Sequence, residues 1–229
     1  MKFAVIAAGE GSRLVSEGCE WSKPLVRING VSLVERLIRI FIRSGASQVA
    51  VVINEKSNEL VDTLISLQKS LPIKIIVKNT PSSMHSFFEL RHYLAGERFC
   101  VTTVDTVFRE DVFRNYIDVF SMATVDGLMG VTDYIDDEKP LFVEVNENLD
   151  ITGFHDNAEN CPYISGGIYG LTEPVFELLG QMINAGESRM RTFQRRLLSE
   201  HFRLKAYPFG KIIDIDHISD IAKAENLLA

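Results

Sequence analysis

Cysteine is scarce in this chain: Cys19, Cys100 and Cys161 are the three among 229 residues. None forms a CxxC pair and none joins a His/Cys cluster, so a zinc site is not expected. Free thiols suit a reducing compartment. An excess of cations is also missing, since 24 Lys and Arg stand against 31 Asp and Glu, a formal net charge of −7. Non-specific nucleic-acid binding needs a basic face that releases counterions, so DNA and RNA are not expected partners. Long apolar runs are absent as well. The opening "MKFAVIAAGEGSRL" breaks at Gly9 and Arg13 with no cleavage region, and nothing approaches the roughly 20 apolar residues of a membrane span. A cytoplasmic protein with no membrane partner is the expectation. Oligomeric state is not legible.

What is present is ordinary for a globular chain, with 46% hydrophobic and 24% charged residues. A chain of this length buries a core without staples. Short β-branched runs alternate with longer helical patterns. "KFAVIAA" at the start, residues 48–54, 73–77 and 99–104 read as strands buried on both faces. Between them "VSLVERLIRIFIRSG" reads as a helix with Ser32 and Glu35 as a capping box and Gly45 as its stop. "NELVDTLISLQKSL" and "MHSFFELRHYL" follow. This alternation implies right-handed βαβ units in an α/β three-layer sandwich with a mostly parallel central sheet. The second half reads differently. "GLMGV", "LFVEVNENLDITGF" and "YISGGIYGL" are short strands with a hairpin turn at Asn146–Asn148. Two helices, "EPVFELLGQMI" and "SRMRTFQRRLLSEH", come next. The strands "FRLKAYPF" and "KIIDI" and a last helix, "DIAKAENLL", close the chain. No linker or repeat divides residues 1–229. One domain is expected, in two halves over about 1–110 and about 111–229.

The chemistry begins at "AAGEGSRL". A dinucleotide turn wants G-x-G-x-x-G, but Leu14 takes the third glycine's place and no acidic residue ends the second strand. The string G-x-x-x-x-G-K-[ST] does not occur. A third reading is a loop whose backbone N–H groups wrap nucleotide phosphates, with glycines permitting close approach. Arg13 would clamp phosphate oxygens in fork geometry, and Lys23, in "SKPL", supplies a second cation.

The stretch "AAGEGSRL…SKPLVRINGVSLVERLI" resembles the nucleotidyltransferase superfamily, which includes the sugar-1-phosphate nucleotidylyltransferases and the MobA-like NTP transferases. The resemblance implies a Rossmann-like nucleotide-diphospho-sugar transferase fold, with a nucleotide-binding half over about 1–110 and an acceptor-binding half over about 111–229, and a pair of Mg²⁺-binding carboxylates. Asp105, at the end of the fourth strand in "VTTVDTVF", and Asp214, in "KIIDIDHISDIAKAENLL", match them. Asp214 and Asp216 are two apart on a strand and would share a face, so Asp216 could join Asp214 at the metal. Asp216 also reads as the N-cap of the last helix, and Asp220 as a packing or capping residue. For the nucleotide, the resemblance points to Ala7, Ala8, Gly9, Gly11 and Ser12 in the first loop. It also points to Ser82 and Ser83, which equally read as helix N-caps. Glu10 has no assignable role.

For the acceptor, the signals are thinner. His155 falls where sugar-phosphate enzymes carry a Glu-Lys-Pro. The "EKP" at 138–140 precedes the hairpin and is taken as a decoy. Gly166 and Gly167 would let a ligand lie against a strand. Arg191 and Arg195, one turn apart, could hold an acceptor phosphate, although a solvated helix face is the plainer reading. The resemblance therefore implies an enzyme that joins a nucleoside triphosphate to a phosphorylated small molecule and releases pyrophosphate. A sugar 1-phosphate is the first acceptor, and an alditol phosphate or choline phosphate with a cytidylyltransferase-type enzyme the second. A non-catalytic nucleotide-binding regulatory module is the rival of another class. A glycosyltransferase would carry Asp-x-Asp, where this chain has Val104-Asp105-Thr106. The base and the acceptor are not named by the sequence.

Overall fold

The computed structural model describes residues 1–9, 11–136, 138–157 and 161–229; Glu10 lies outside the described residues. The first half contains β1 (Lys2–Ile6), α1 (Ser12–Ser16), β2 (Arg27–Ile28), β3 (Val31–Ser32), α2 (Leu33–Arg43), β4 (Val49–Ile53), α3 (Asn58–Gln68), β5 (Ile73–Val77), α4 (Ser83–Glu89), α5 (Arg91–Leu94), β6 (Phe99–Thr103), β7 (Thr106–Val107) and α6 (Glu110–Met122). The second half contains β8 (Gly127–Thr132), β9 (Phe142–Val145), β10 (Ile151–His155), β11 (Tyr163–Leu171), α7 (Val175–Asn184), α8 (Met190–Ser199), β12 (Leu204–Pro208), β13 (Ile213–Asp214) and α9 (Ile218–Leu228).

Strands β6, β1, β4 and β5 lie side by side and parallel, each fed by a helical crossover. Their side chains alternate between two separate apolar layers. Phe3 and Val5 of β1 enter one layer, while Ala4 and Ile6 enter the other. Val49, Val51 and Ile53 of β4 divide from Ala50 and Val52 in the same way. Both faces of β1 and β4 are covered, which is why residues 3–6 and Val49–Ile53 are apolar at every position rather than at every second one. Strand β11 then joins β6 antiparallel and carries β8 and β9 with it, so the second half extends the same sheet.

Helix α2 starts where Ser32 accepts the Glu35 N–H at 3.4 Å. The reciprocal half of the expected capping box is not made, because the Glu35 carboxylate pairs with Arg39 one turn on, at 2.7 Å. The hairpin at Asn146 is held by that side chain, whose Oδ1 accepts the N–H groups of Asn148 and Asp150. Helix α6 has no counterpart in the sequence reading. It buries Phe113, Tyr116, Ile117 and Phe120, spaced at i, i+3, i+4 and i+7.

Candidate active site

The carboxyl ends of β1, β4, β5 and β6 open into a cleft of about 780 Å³, where open α/β sheets receive ligands. Ala8, Gly9, Gly11, Ser12 and Arg13 form one wall, and Asn54, Asn79, Thr80, Ser82 and Ser83 face them. Ala7 is not on that wall. It is 1% exposed, and its N–H already donates to the Val52 carbonyl at 2.9 Å. Asn54, which sequence reasoning passed over, is nearly buried and anchors the loop by donating to the Ala8 carbonyl at 3.0 Å. Ser82 combines its two expected places: it lines the cleft and caps α4 through the His85 N–H at 3.4 Å.

Gly11 sits in the left-handed region, φ 62°, at the start of α1. An added Cβ there would meet the Cβ of Lys23 at 2.7 Å. The loop and the Lys23 stem therefore touch only because residue 11 lacks a side chain. Lys23 opens a short 3₁₀ turn with Pro24, and its own side chain is 11% exposed. Its Nζ lies 2.6 Å from Asp105 Oδ2 and 2.7 Å from Asp216 Oδ1. Burial lowers the pKa of this ammonium, but Asp105 and then Asp216 outweigh it and hold the group above the ordinary lysine value. Arg13 adds a second cation, with Nη1 2.7 Å from Asp216 Oδ2.

Asp216 is therefore not the cap of the last helix. His217 takes the N-cap position, and the Asp220 carboxylate accepts the N–H groups of His217 at 2.8 Å and Asp216 at 3.1 Å. The Asp216 side chain is left to face the cations. The segment is brought beside Asp105 by β13 pairing with β7 and by the Ile215 N–H donating to the Asp105 carbonyl at 3.1 Å. Because β13 ends at Asp214, the alternation expected of a strand does not reach Asp216. Asp214 lines a second, smaller cleft of about 40 Å³ and no wall of the first, whereas Asp216 lines both.

This second cleft carries Thr132, Tyr134, Glu138, Ser165 and Gly166. It shares Arg13 and Asp216 with the first. Glu138, taken as a decoy, belongs to it: its carboxylate is 3.9 Å from Arg13 and 3.6 Å from His217. Gly166 is required where it stands, since a Cβ would lie 2.4 Å from Ile212 Cδ1. Gly167 has φ 70° and packs against Thr106 and Thr103, where a Cβ would sit 2.7 and 2.9 Å from their hydroxyls. His155 and Arg191 line neither cleft. His155 pairs with Glu144 at 2.9 Å, and Arg191 and Arg195 both bind Asp156 at 2.8 Å, tying α8 to the end of β10.

Among the described residues, no group of three or more His, Cys, Asp or Glu side chains is arranged to hold a metal. Two carboxylates on one ammonium, Asp105 and Asp216, are the convergent set. That donor set suits a hard cation such as Mg²⁺, which typically takes one or two carboxylates and completes its shell with water and substrate phosphates.

Comparison with known proteins agrees with this fold. Bifunctional protein GlmU of Methanococcus vannielii is 25% identical over 235 residues, covering 99% of this chain and 54% of GlmU. The chain thus spans about half the length of the curated relatives it matches. The inositol-1-phosphate CTP transferase from T. maritima shares the fold at a TM-score of 0.82 and 21% identity, over 100% of this chain and 97% of that one. CTP:phosphocholine cytidylyltransferase from Streptococcus pneumoniae shares it at 0.78 and 16%, over 100% and 99%. The model of the MobA-like NTP transferase domain matches residues 3–146. This chain belongs to the MobA-like NTP transferase family, a family of nucleotidyltransferases.

Proposed function

We propose that this chain joins a nucleoside triphosphate to a phosphorylated small-molecule acceptor, a sugar 1-phosphate in the first instance, releasing pyrophosphate and giving an NDP-sugar. One observation supports this reading above the others: the two clefts meet at Arg13 and Asp216, beside Lys23 and Asp105. A nucleotide in the larger cleft and an acceptor in the smaller would bring their phosphates together over that cluster.

An acceptor phosphate oxygen attacks the α-phosphorus, the bond to the β-phosphate oxygen breaks, and pyrophosphate leaves. No protein nucleophile is needed, so positioning and charge neutralisation carry the rate. Lys23 meets the charge that develops on the α-phosphate, and Arg13 holds the departing pyrophosphate in fork geometry. Asp105 and Asp216 are the residues that would hold Mg²⁺. When bound, the ion supplies Lewis-acid neutralisation of phosphate charge. Ser82, Ser83, Asn79 and the Ala8–Gly9 backbone border the space left for base and ribose. Thr132, Ser165 and Glu138 offer hydroxyl and carboxylate groups to the acceptor.

An alditol phosphate, inositol phosphate or choline phosphate with CTP fits the same scheme. The two solved relatives named above are an inositol-1-phosphate CTP transferase and a CTP:phosphocholine cytidylyltransferase, and this pairing belongs in the test. A purely regulatory nucleotide module would have no use for cations and carboxylates gathered where two clefts join. Among the described residues no helix is long and apolar enough to cross a membrane, in keeping with small-molecule substrates. The test is pyrophosphate release with ATP, CTP, GTP and UTP, each against sugar 1-phosphates, alditol and inositol phosphates and choline phosphate, with Mg²⁺. Release with one donor and acceptor pair is expected. Nucleotide binding without release from any pair would overturn the proposal in favour of a regulatory module.

A further inference from the structure

The ammonium of Lys23 stands between the two carboxylates that a divalent cation would need. It bonds Asp105 Oδ2 at 2.6 Å and Asp216 Oδ1 at 2.7 Å, while Arg13 takes the other oxygen of Asp216 at 2.7 Å. Three of the four carboxylate oxygens are thereby engaged by protein cations. The Lys23 stem has little freedom to withdraw on its own, because it lies against Gly11 and is largely buried. A divalent cation arriving alone would meet an ammonium a few ångströms away, and like charges at that separation repel.

We propose that Lys23 is a built-in counter-ion for Asp105 and Asp216, which keeps a free divalent cation out of the nucleotide-free protein and yields the carboxylates only when a triphosphate offers the ammonium a new partner. The cation and the triphosphate then enter together. Triphosphate oxygens give Lys23 and Arg13 the anions they lose, so each cation keeps an anionic partner. The inference deepens the transfer reading, on which it rests for why a cation is wanted. It concerns what Lys23 does before any nucleotide binds.

The experiment is a titration of Mn²⁺ into nucleotide-free protein, with free ion followed by its electron paramagnetic resonance signal. Wild-type protein is expected to leave Mn²⁺ free. Lys23→Met, which removes the charge and keeps the apolar stem, is expected to bind one Mn²⁺ per chain at least about ten-fold more tightly. Lys23→Met combined with Asp105→Asn is expected to lose that gain. Far-ultraviolet circular dichroism melts check that each variant is folded, and Lys23→Gln takes the place of Lys23→Met if the latter is not. Wild-type protein that binds Mn²⁺ by itself as tightly as the lysine variants would overturn the proposal, and so would a folded lysine variant with no gain. Turnover does not enter this readout. Absence of pyrophosphate release would sink the transfer reading and leave the metal titration standing, and the converse holds as well.

Discussion

Gly11 and Lys23 are in contact through the one place where a side chain would separate them, with 2.7 Å between the Cβ of Lys23 and the position a Gly11 Cβ would take. Residue 11 also has φ 62°, a conformation that costs an L side chain roughly 1–2 kcal/mol. Gly11→Ala should therefore lower the melting temperature by a few degrees. It should also push Lys23 off Asp105 and Asp216. Misplacement of a charged group by about 1 Å can cost on the order of a hundredfold. Steady-state pyrophosphate release and a thermal melt measure the two effects separately. A variant with an unchanged rate would show that the contact does not position Lys23.

Asp214 and Asp216 differ in what they face, and a matched pair of substitutions tests it. Asp216→Asn removes the partner of both Lys23 and Arg13, and kcat should fall roughly 10²–10³-fold, as for other groups that set charge at a reacting centre. Asp214→Asn alters only the smaller cleft, and its main effect should be a raised KM for the acceptor. The opposite ranking would move the metal-holding role to Asp214.

Ser82 and Ser83 both line the nucleotide cleft, but Ser82 alone caps α4. Ser82→Ala should cost about 1 kcal/mol of stability and raise the KM for nucleotide. Ser83→Ala should raise that KM while staying within about 0.5 kcal/mol of the parent. Chemical denaturation alongside nucleotide kinetics checks both. Equal stability of the two variants would count against the cap.

Glu110 joins α6 to α2 through a two-pronged contact with Arg43, at 2.7 and 2.6 Å. The Arg43 hydrogen bond holds its pKa below the ordinary glutamate value, against a smaller opposing effect of burial. A lowered carboxylate pKa contributes stability above its unfolded value near 4.5, and that contribution is lost as pH falls through the lower folded value. Glu110→Gln should thus cost at most about 1 kcal/mol at pH 7, since Arg43 is half exposed. The difference from the parent should shrink below pH 4.5. Urea melts at pH 7 and pH 4 read it, and a constant difference would argue against the ion pair.

Much of the fold is legible in local pattern. Strand β5 and strand β11 begin and end where their apolar runs do, and α2 begins at Ser32, as its sequence requires. Helix α6 was legible in principle from the spacing of Phe113, Tyr116, Ile117 and Phe120. Arg13 and Lys23 are legible because a glycine loop and a Lys-Pro each follow a local rule, and Asp105 because the resemblance points to a carboxylate at the end of the fourth strand. His155 and Arg191 were drawn in by position in the chain and by helical spacing, neither of which reports what lies across from a side chain. In the structure those partners are Glu144 and Asp156.

The sequence by itself determined the α/β layering, the glycine loop and the two cations beside it, because these depend on periodicity and on backbone freedom within a few residues. The choice of Asp216 over Asp214 as the carboxylate on Lys23 was decided only by tertiary structure. It depends on where β13 stops, on Asp220 taking up the N–H groups of Asp216 and His217, and on a carbonyl of Asp105 receiving Ile215. Those contacts link residues more than a hundred positions apart as well as near neighbours. A spacing of two along the chain carries the geometry of a strand only for as long as the strand lasts.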